Sequence, residues 1–277
     1  VFLKKKLKYI FIVFVASSLS LIIFRAYVEP IFLMVFKRPL FNHFSIFSKS
    51  LSHGDRLFLE SEIIFYKRLK PKFKKSFENK IIHFLKRYPI IERENLTLSQ
   101  QQRILIAASY TELTFGMNVK HQNSFTKVIV YPKAYYSHIN DDFHKGEFNS
   151  IQKTIVFSWE DFYHGIKISN DNINLGIHEF THAILHQATK PRTNTFDYVL
   201  FEDEHRKIQK MLKKDNYFNL IKNSGFFREY AFVNSKEFIS VIMEYFFENP
   251  KSLKTKFPEL YDRLKTMLNY DENCFSY

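Results

Sequence analysis

The chain has 277 residues, enough for one large domain or two small ones, and 45% of them are hydrophobic, so a sizeable core can form. Its 32 Phe and 16 Tyr against 6 Gly argue for a packed, mainly helical protein over a turn-rich sandwich, and its single cysteine, Cys274, excludes an internal disulfide. The net charge of +13 first suggests nucleic acid, but residues 1–80 carry 16 Lys/Arg against 5 Asp/Glu while the remainder holds 25 against 23, so the excess flanks an N-terminal apolar segment, as anionic lipid headgroups require, and no nucleic-acid motif accompanies it.

That segment comes first in the chain. Lys4, Lys5, Lys6 and Lys8 precede an uncharged run from Tyr9 to Phe24, which Arg25 closes. The run is a little short of the roughly 20 residues of a spanning helix, and snorkelling Lys and Arg stems extend it. A signal peptide has the same outline. Here, however, the small residues of "VASSLS" lie inside the run, and cleavage there would leave "LIIF" behind. The expectation is an uncleaved single-pass anchor, with residues 9–24 in a lipid bilayer. The four lysines favour a cytoplasmic N-terminus and a non-cytoplasmic body, whereas Lys37 and Arg38 on the far side oppose that orientation.

An amphipathic helix is expected from Ser52 or Asp55, ended by Pro71, and another over "KSFENKIIHFLKRY", stopped by Pro89. Thr97 or Ser99 would cap a helix running to Gly116. The pattern then changes to two β-branched, period-two runs, "FTKVIVYP" and "KTIVFSW", separated by the polar "HINDDFHKGEFN". Residues 154–158 read as an edge strand that could align an extended peptide. Asn170 to Asn174 form the cap region of the next helix, which Lys190-Pro191 ends, and residues 196–214, 236–248 and 252–269 read as helices. Helices, two or three strands and then helices describe an α+β fold.

"GIHEFTHAILH" carries three histidines at four-residue intervals. His178 and His182 share one helical face, so both imidazoles reach one ion, and Glu179 stands about 100° around the helix, where it can address a water activated by that ion. The rival pair, His182 and His186, has Ala183 where the base should be, and His186 reads as a non-ligand near the helix end. A catalytic zinc commonly keeps three protein ligands, and no further histidine follows in "QATKPRT". Two carboxylate clusters could supply the third: Glu202, Asp203 and Glu204 in a very polar stretch, or Glu237 and Glu244, two turns apart in an apolar helix. Buried carboxylates need partners, which favours the second cluster.

With "IVFSWEDFYHGIKISNDNINLGIHEFTHAI" and "EYAFVNSKEFISVIMEYFFENPKSLKTKFPELYDRLKTML" in view, the chain resembles the Mlc titration factor A family of zinc peptidases over roughly residues 90–270. The resemblance implies a zincin-like metallopeptidase domain, similar in fold to the catalytic domain of anthrax lethal factor. That domain is mainly helical with a small mixed sheet, and follows the transmembrane helix. It implies one catalytic Zn2+ held by His178, His182 and Glu237, with Glu179 as general base and Tyr230 stabilising the oxyanion. The substrate would be a peptide or protein. A zinc-containing regulatory protein that sequesters a partner without significant proteolysis is the alternative. Family members typically continue after the second histidine with Lys-Leu-Asp and a nearby Asn-Gly, which "AILHQATKPRT" lacks. The expected organisation is a basic segment and anchor over 1–40 and a peptidase domain over 41–277, divided into a helical part, 41–95, and a catalytic core, 96–277.

Overall fold

A computed structural model describes residues 2–36, 50–119, 122–137, 142–190 and 196–276. The chain divides into two compact units, residues 1–42 and 43–277. The boundary expected at residue 40, the charges of Lys37 and Arg38, and the helix stop at Pro191 lie outside the described residues.

The first unit is a run of helix: α1 (Phe2–Ile23), a π-helical turn (Phe24–Val28) and α2 (Glu29–Phe36). Pro30 has no N–H for the helical ladder, and the widened turn just before it is where a helix absorbs that loss. Lys5–Ile23 has a mean hydropathy of 1.9 and none of it is buried, so this helix is long and apolar enough to cross a membrane. The hydroxyls of Ser17 and Ser18 donate to the carbonyls of Val13 and Phe14 one turn back, so neither is left unpaired in an apolar medium.

The second unit opens with α3 (His53–Glu62), α4 (Ile64–Arg68) and α5 (Pro71–Arg87). Ser52 caps α3 through the Asp55 N–H. Pro71 does not end a helix but begins α5 at its first position, where its missing N–H needs no partner. After β1 (Ile90–Glu92), Ser99 and not Thr97 caps α6 (Gln100–Leu113), in a reciprocal capping box with Gln102. Then come β2 (Lys127–Tyr131), β3 (Tyr135–Ser137), β4 (Asp142–His144), β5 (Gly146–Asn149) and β6 (Thr154–Ser158). They are followed by α7 (Trp159–Lys167), α8 (Leu175–Ala188), α9 (Phe196–Leu212) and α10 (Asp215–Asn223). A 3₁₀ turn (Glu229–Phe232) leads into α11 (Ser235–Glu248), and α12 (Pro250–Lys256) and α13 (Pro258–Met267) close the unit. The single helix expected over 252–269 is thus divided at Pro258, which starts the second piece.

Four strands form a mixed sheet in the order β1-β2-β6-β5, the first three parallel and β5 antiparallel. The helical stretch expected before residue 95 therefore contributes a strand, β1. Residues 154–158 are not an edge strand. All five residues of β6 are buried, and β5 covers its outer side. The segment read as a polar connection hides β4 and β5, because short strands with half-exposed faces carry no apolar alternation.

Helix α8 crosses the middle of this unit. Its Phe180 is fully buried, within 5.9 Å, centroid to centroid, of Phe84, Tyr110, Phe125 and Phe157. Edge-on aromatic contacts of this kind add specific geometry to area burial. Gly176 permits close approach on the α6 side, where a Cβ would stand 2.3 Å from Ser109 Oγ. The helix carrying the three histidines is thereby fixed along its back, and its other face is turned to a cleft.

Candidate metal centre

Asn174 starts α8. Its Oδ1 accepts the Ile177 N–H at 3.0 Å, satisfying one of the free donors of the first turn. Its own N–H donates to Glu244 Oε2 at 2.7 Å, and Asn172 N–H to Glu248 Oε2 at 2.8 Å. Two acids one turn apart on α11 thus grip the loop that launches α8, which sets the two helices against each other.

That docking brings three expected residues together. Among the described residues, His178, His182 and Glu237 are the one group of side chains whose ligand atoms cluster closely enough to hold a metal. His178 Nε2 lies 3.2 Å from His182 Nε2 and 3.0 Å from Glu237 Oε2, and His182 Nε2 lies 3.4 Å from Glu237 Oε1. Ligands at about 2.0–2.1 Å from a tetrahedral ion stand about 3.3–3.4 Å apart, so two imidazoles and a carboxylate at these separations fit a zinc-sized ion. Asn234 caps α11 through the N–H groups of Lys236 and Glu237, at 2.8 and 3.1 Å, which fixes the turn bearing Glu237.

Both imidazoles are oriented from behind. His178 Nδ1 donates to Glu244 Oε1 at 2.7 Å. Glu244 is 1% exposed and also receives Arg228 at 2.5 Å, while the same guanidinium donates to the Asn172 carbonyl. His182 Nδ1 lies 3.3 Å from the buried Ser240 hydroxyl. With Nδ1 occupied in each ring, Nε2 is the nitrogen left for an ion. Glu244, one of the two acids weighed as third ligand, therefore holds the His178 ring instead. Its signal in sequence was a charge two turns from Glu237 in an apolar helix. Arg228 and Ser240 carried none.

The charges follow this packing. Burial works against a charged His178, but the carboxylates of Glu237 and Glu244 outweigh it and raise the imidazole to about 10. Glu237 is partly desolvated, yet its bonds to His178 and His182 hold it well below the ordinary carboxylate range. A proton shared among these groups occupies the place of a cation, and metal and proton compete for it. Glu179 is buried, which raises its pKa. The neighbouring histidines oppose this, Glu237 reinforces it, and a hydrogen bond from the Phe148 N–H opposes it. Tyr230, in the 3₁₀ turn, is half exposed with its ring 6.0 Å from that of His178. Burial, the charge of Glu237 and a hydrogen bond to it push its phenol up to about 12.

These groups line a cleft of about 480 Å³, which Glu147 and Phe148 of β5 border on one side and Tyr230 and Glu237 on another. His186 lines the same cleft one turn beyond His182 but lies outside the ligand group; its ring packs 5.5 Å from Phe148. The other acidic cluster is engaged elsewhere. Glu202 pairs with Arg206 at 2.7 Å, and Lys207 takes Asp203 and Glu204 at 2.7 and 2.6 Å.

A His-x-x-x-His pair on one helix and a glutamate from a second, facing a cleft beside a mixed sheet, define a metallopeptidase-like class of protein. The model of the glucose-regulated metallo-peptidase M90 family matches residues 42–269, and the chain belongs to that family. It is 24% identical over 251 residues to an uncharacterized protein, slr2042, of Synechocystis sp., covering 83% of this chain and 85% of that one. It is 26% identical over 196 residues to Mlc titration factor A of Pectobacterium atrosepticum, covering 64% of this chain and 72% of the relative. The resemblance to the Mlc titration factor A family read from the motifs is thereby borne out.

Proposed function

We propose that the chain is a membrane-anchored, zinc-dependent peptidase. His178, His182 and Glu237 hold one zinc ion, Glu179 is the general base, and Tyr230 stabilises the oxyanion. The observation that carries this reading is the mutual approach of the three ligand atoms, with the Glu179 carboxyl buried on the same cleft. When bound, zinc supplies Lewis acidity and lowers the pKa of a water. Glu179 takes the proton of the attacking water on a carboxylate oxygen and later gives it to the leaving amine, and burial suits it to both duties by raising its pKa. The Tyr230 hydroxyl donates to the carbonyl oxygen as negative charge develops there.

Strand β5 takes over the aligning role first expected of residues 154–158. The Ser158 N–H donates to the Lys145 carbonyl, so by alternation the backbone groups of Gly146 and Phe148 face away from β6. An extended peptide can pair with that open side in the cleft, while the Phe148 N–H stays with Glu179.

A second reading has one observation behind it: a relative bears the name Mlc titration factor A, which supports a zinc-containing partner-binding role without proteolysis. One variant separates the two. Glu179→Gln is expected to retain zinc and lose peptide hydrolysis by about 10²-fold or more, since general base catalysis contributes about 10²–10⁴-fold. Zinc-loaded Glu179→Gln cleaving a quenched-fluorescence peptide set at the parent rate would overturn the peptidase mechanism.

A further inference from the structure

Gly146 sits at the first position of β5, paired with Phe157 of β6, and faces the first turns of α8. A Cβ built there would lie 2.7 Å from Leu175 Cδ1, 3.0 Å from Glu179 Cγ and 3.1 Å from Glu179 Oε1. Leu175 and Glu179 are one helical turn apart, so one face of α8 closes directly on this strand backbone. Two residues on, Phe148 faces the same helix and packs on His186. The strand therefore lies along α8 with a side chain at one end of the contact and none at the other. No turn or left-handed backbone requires the glycine: its φ lies outside the region closed to other residues. What calls for it is crowding: the nearest atom is the flexible tip of Leu175, and the Glu179 side chain stands just beyond it, close enough that an added methyl makes it give way.

We infer that Gly146 is a positioning residue for Glu179: the missing side chain lets the carboxylate lie against the open edge of β5, the edge a peptide would pair with. The inference rests on the reading of Glu179 as general base. Any larger residue drives the Glu179 side chain outward, because the helix and the strand backbone behind it are both held by their neighbours. The ligands His178 and His182 are on another face of α8 and stay where they are. The base then loses part of its register with the scissile bond while zinc remains bound; a misplacement of about 1 Å can cost about a hundredfold in rate, and the few tenths of an ångström required here about three- to tenfold.

The test uses the full chain, loaded with zinc, and the best-cleaved member of a quenched-fluorescence peptide set. Gly146→Ala is expected to lower kcat by about three- to tenfold, with KM and zinc content within about twofold of the parent and Tm little changed. Because the new methyl also meets Leu175, the companion variant Gly146→Ala with Leu175→Ala removes that collision and secures folding; it is expected to stay as slow as Gly146→Ala. In a Glu179→Gln background, Gly146→Ala is expected to change the residual rate by less than about twofold, since coupled positions are non-additive. Parent-like kcat in Gly146→Ala, recovery on adding Leu175→Ala, or a loss that multiplies with that of Glu179→Gln would each overturn the inference. Full activity of zinc-loaded Glu179→Gln would instead overturn the reading beneath it, and the inference with it.

Discussion

Glu244 shows how a buried charge is paired while it orients a histidine. Its two oxygens accept from His178, Arg228 and the Asn174 N–H, so a carboxylate 1% exposed is paired on every side it presents. An uncompensated charge at that depth would cost several kcal/mol. The arrangement fixes the His178 tautomer and makes its Nε2 a better donor to a cation. Glu244→Gln keeps the shape and removes the charge. It is expected to weaken zinc binding by about 10–100-fold, measured by competition with a chromogenic chelator; unchanged affinity would show that His178 is oriented without it.

At the scale of elements, the centre depends on how α8 meets α11 and β5. Asn174 links the cap of α8 to Glu244 and, through its Nδ2, to Glu248 at 3.3 Å. Asn174→Ala removes the cap and is expected to lower stability by about 0.5–2 kcal/mol in denaturant unfolding; no measurable loss would mean that α8 is held by its back face alone. The pair His178 and His182 and the apolar helix bearing Glu237 were legible in the sequence, because helical spacing writes itself directly into residue order. The division of labour between Glu237 and Glu244 was not legible from spacing, since two acids seven apart lie on one stripe and only the docking angle decides which meets the imidazole Nε2 atoms. The edge strand was not legible either. Gly146–Asn149 is four residues long and polar, and its role comes from the partner it covers, β6, whose β-branched, period-two run had marked residues 154–158 as strand without marking their place in the sheet.

The whole molecule joins an apolar helical segment with basic flanks to a larger body whose residues beyond 80 are close to neutral. Of the formal charge of +13, residues 1–80 contribute 11, and Lys5–Ile23 is apolar enough to span. Together these support a bilayer anchor with lysines at the headgroups. The full chain is expected to stay in the membrane fraction after alkaline carbonate extraction; release into the supernatant would contradict an anchor. In the body, the proposed centre is one ion held by three ligands from two helices. The most direct measurement is anomalous difference density across the zinc absorption edge in crystals of the zinc-loaded protein. One peak is expected, bonded to His178 Nε2, His182 Nε2 and a Glu237 oxygen, with His186 away from it. A peak shared by His182 and His186, or none at this cluster, would contradict it.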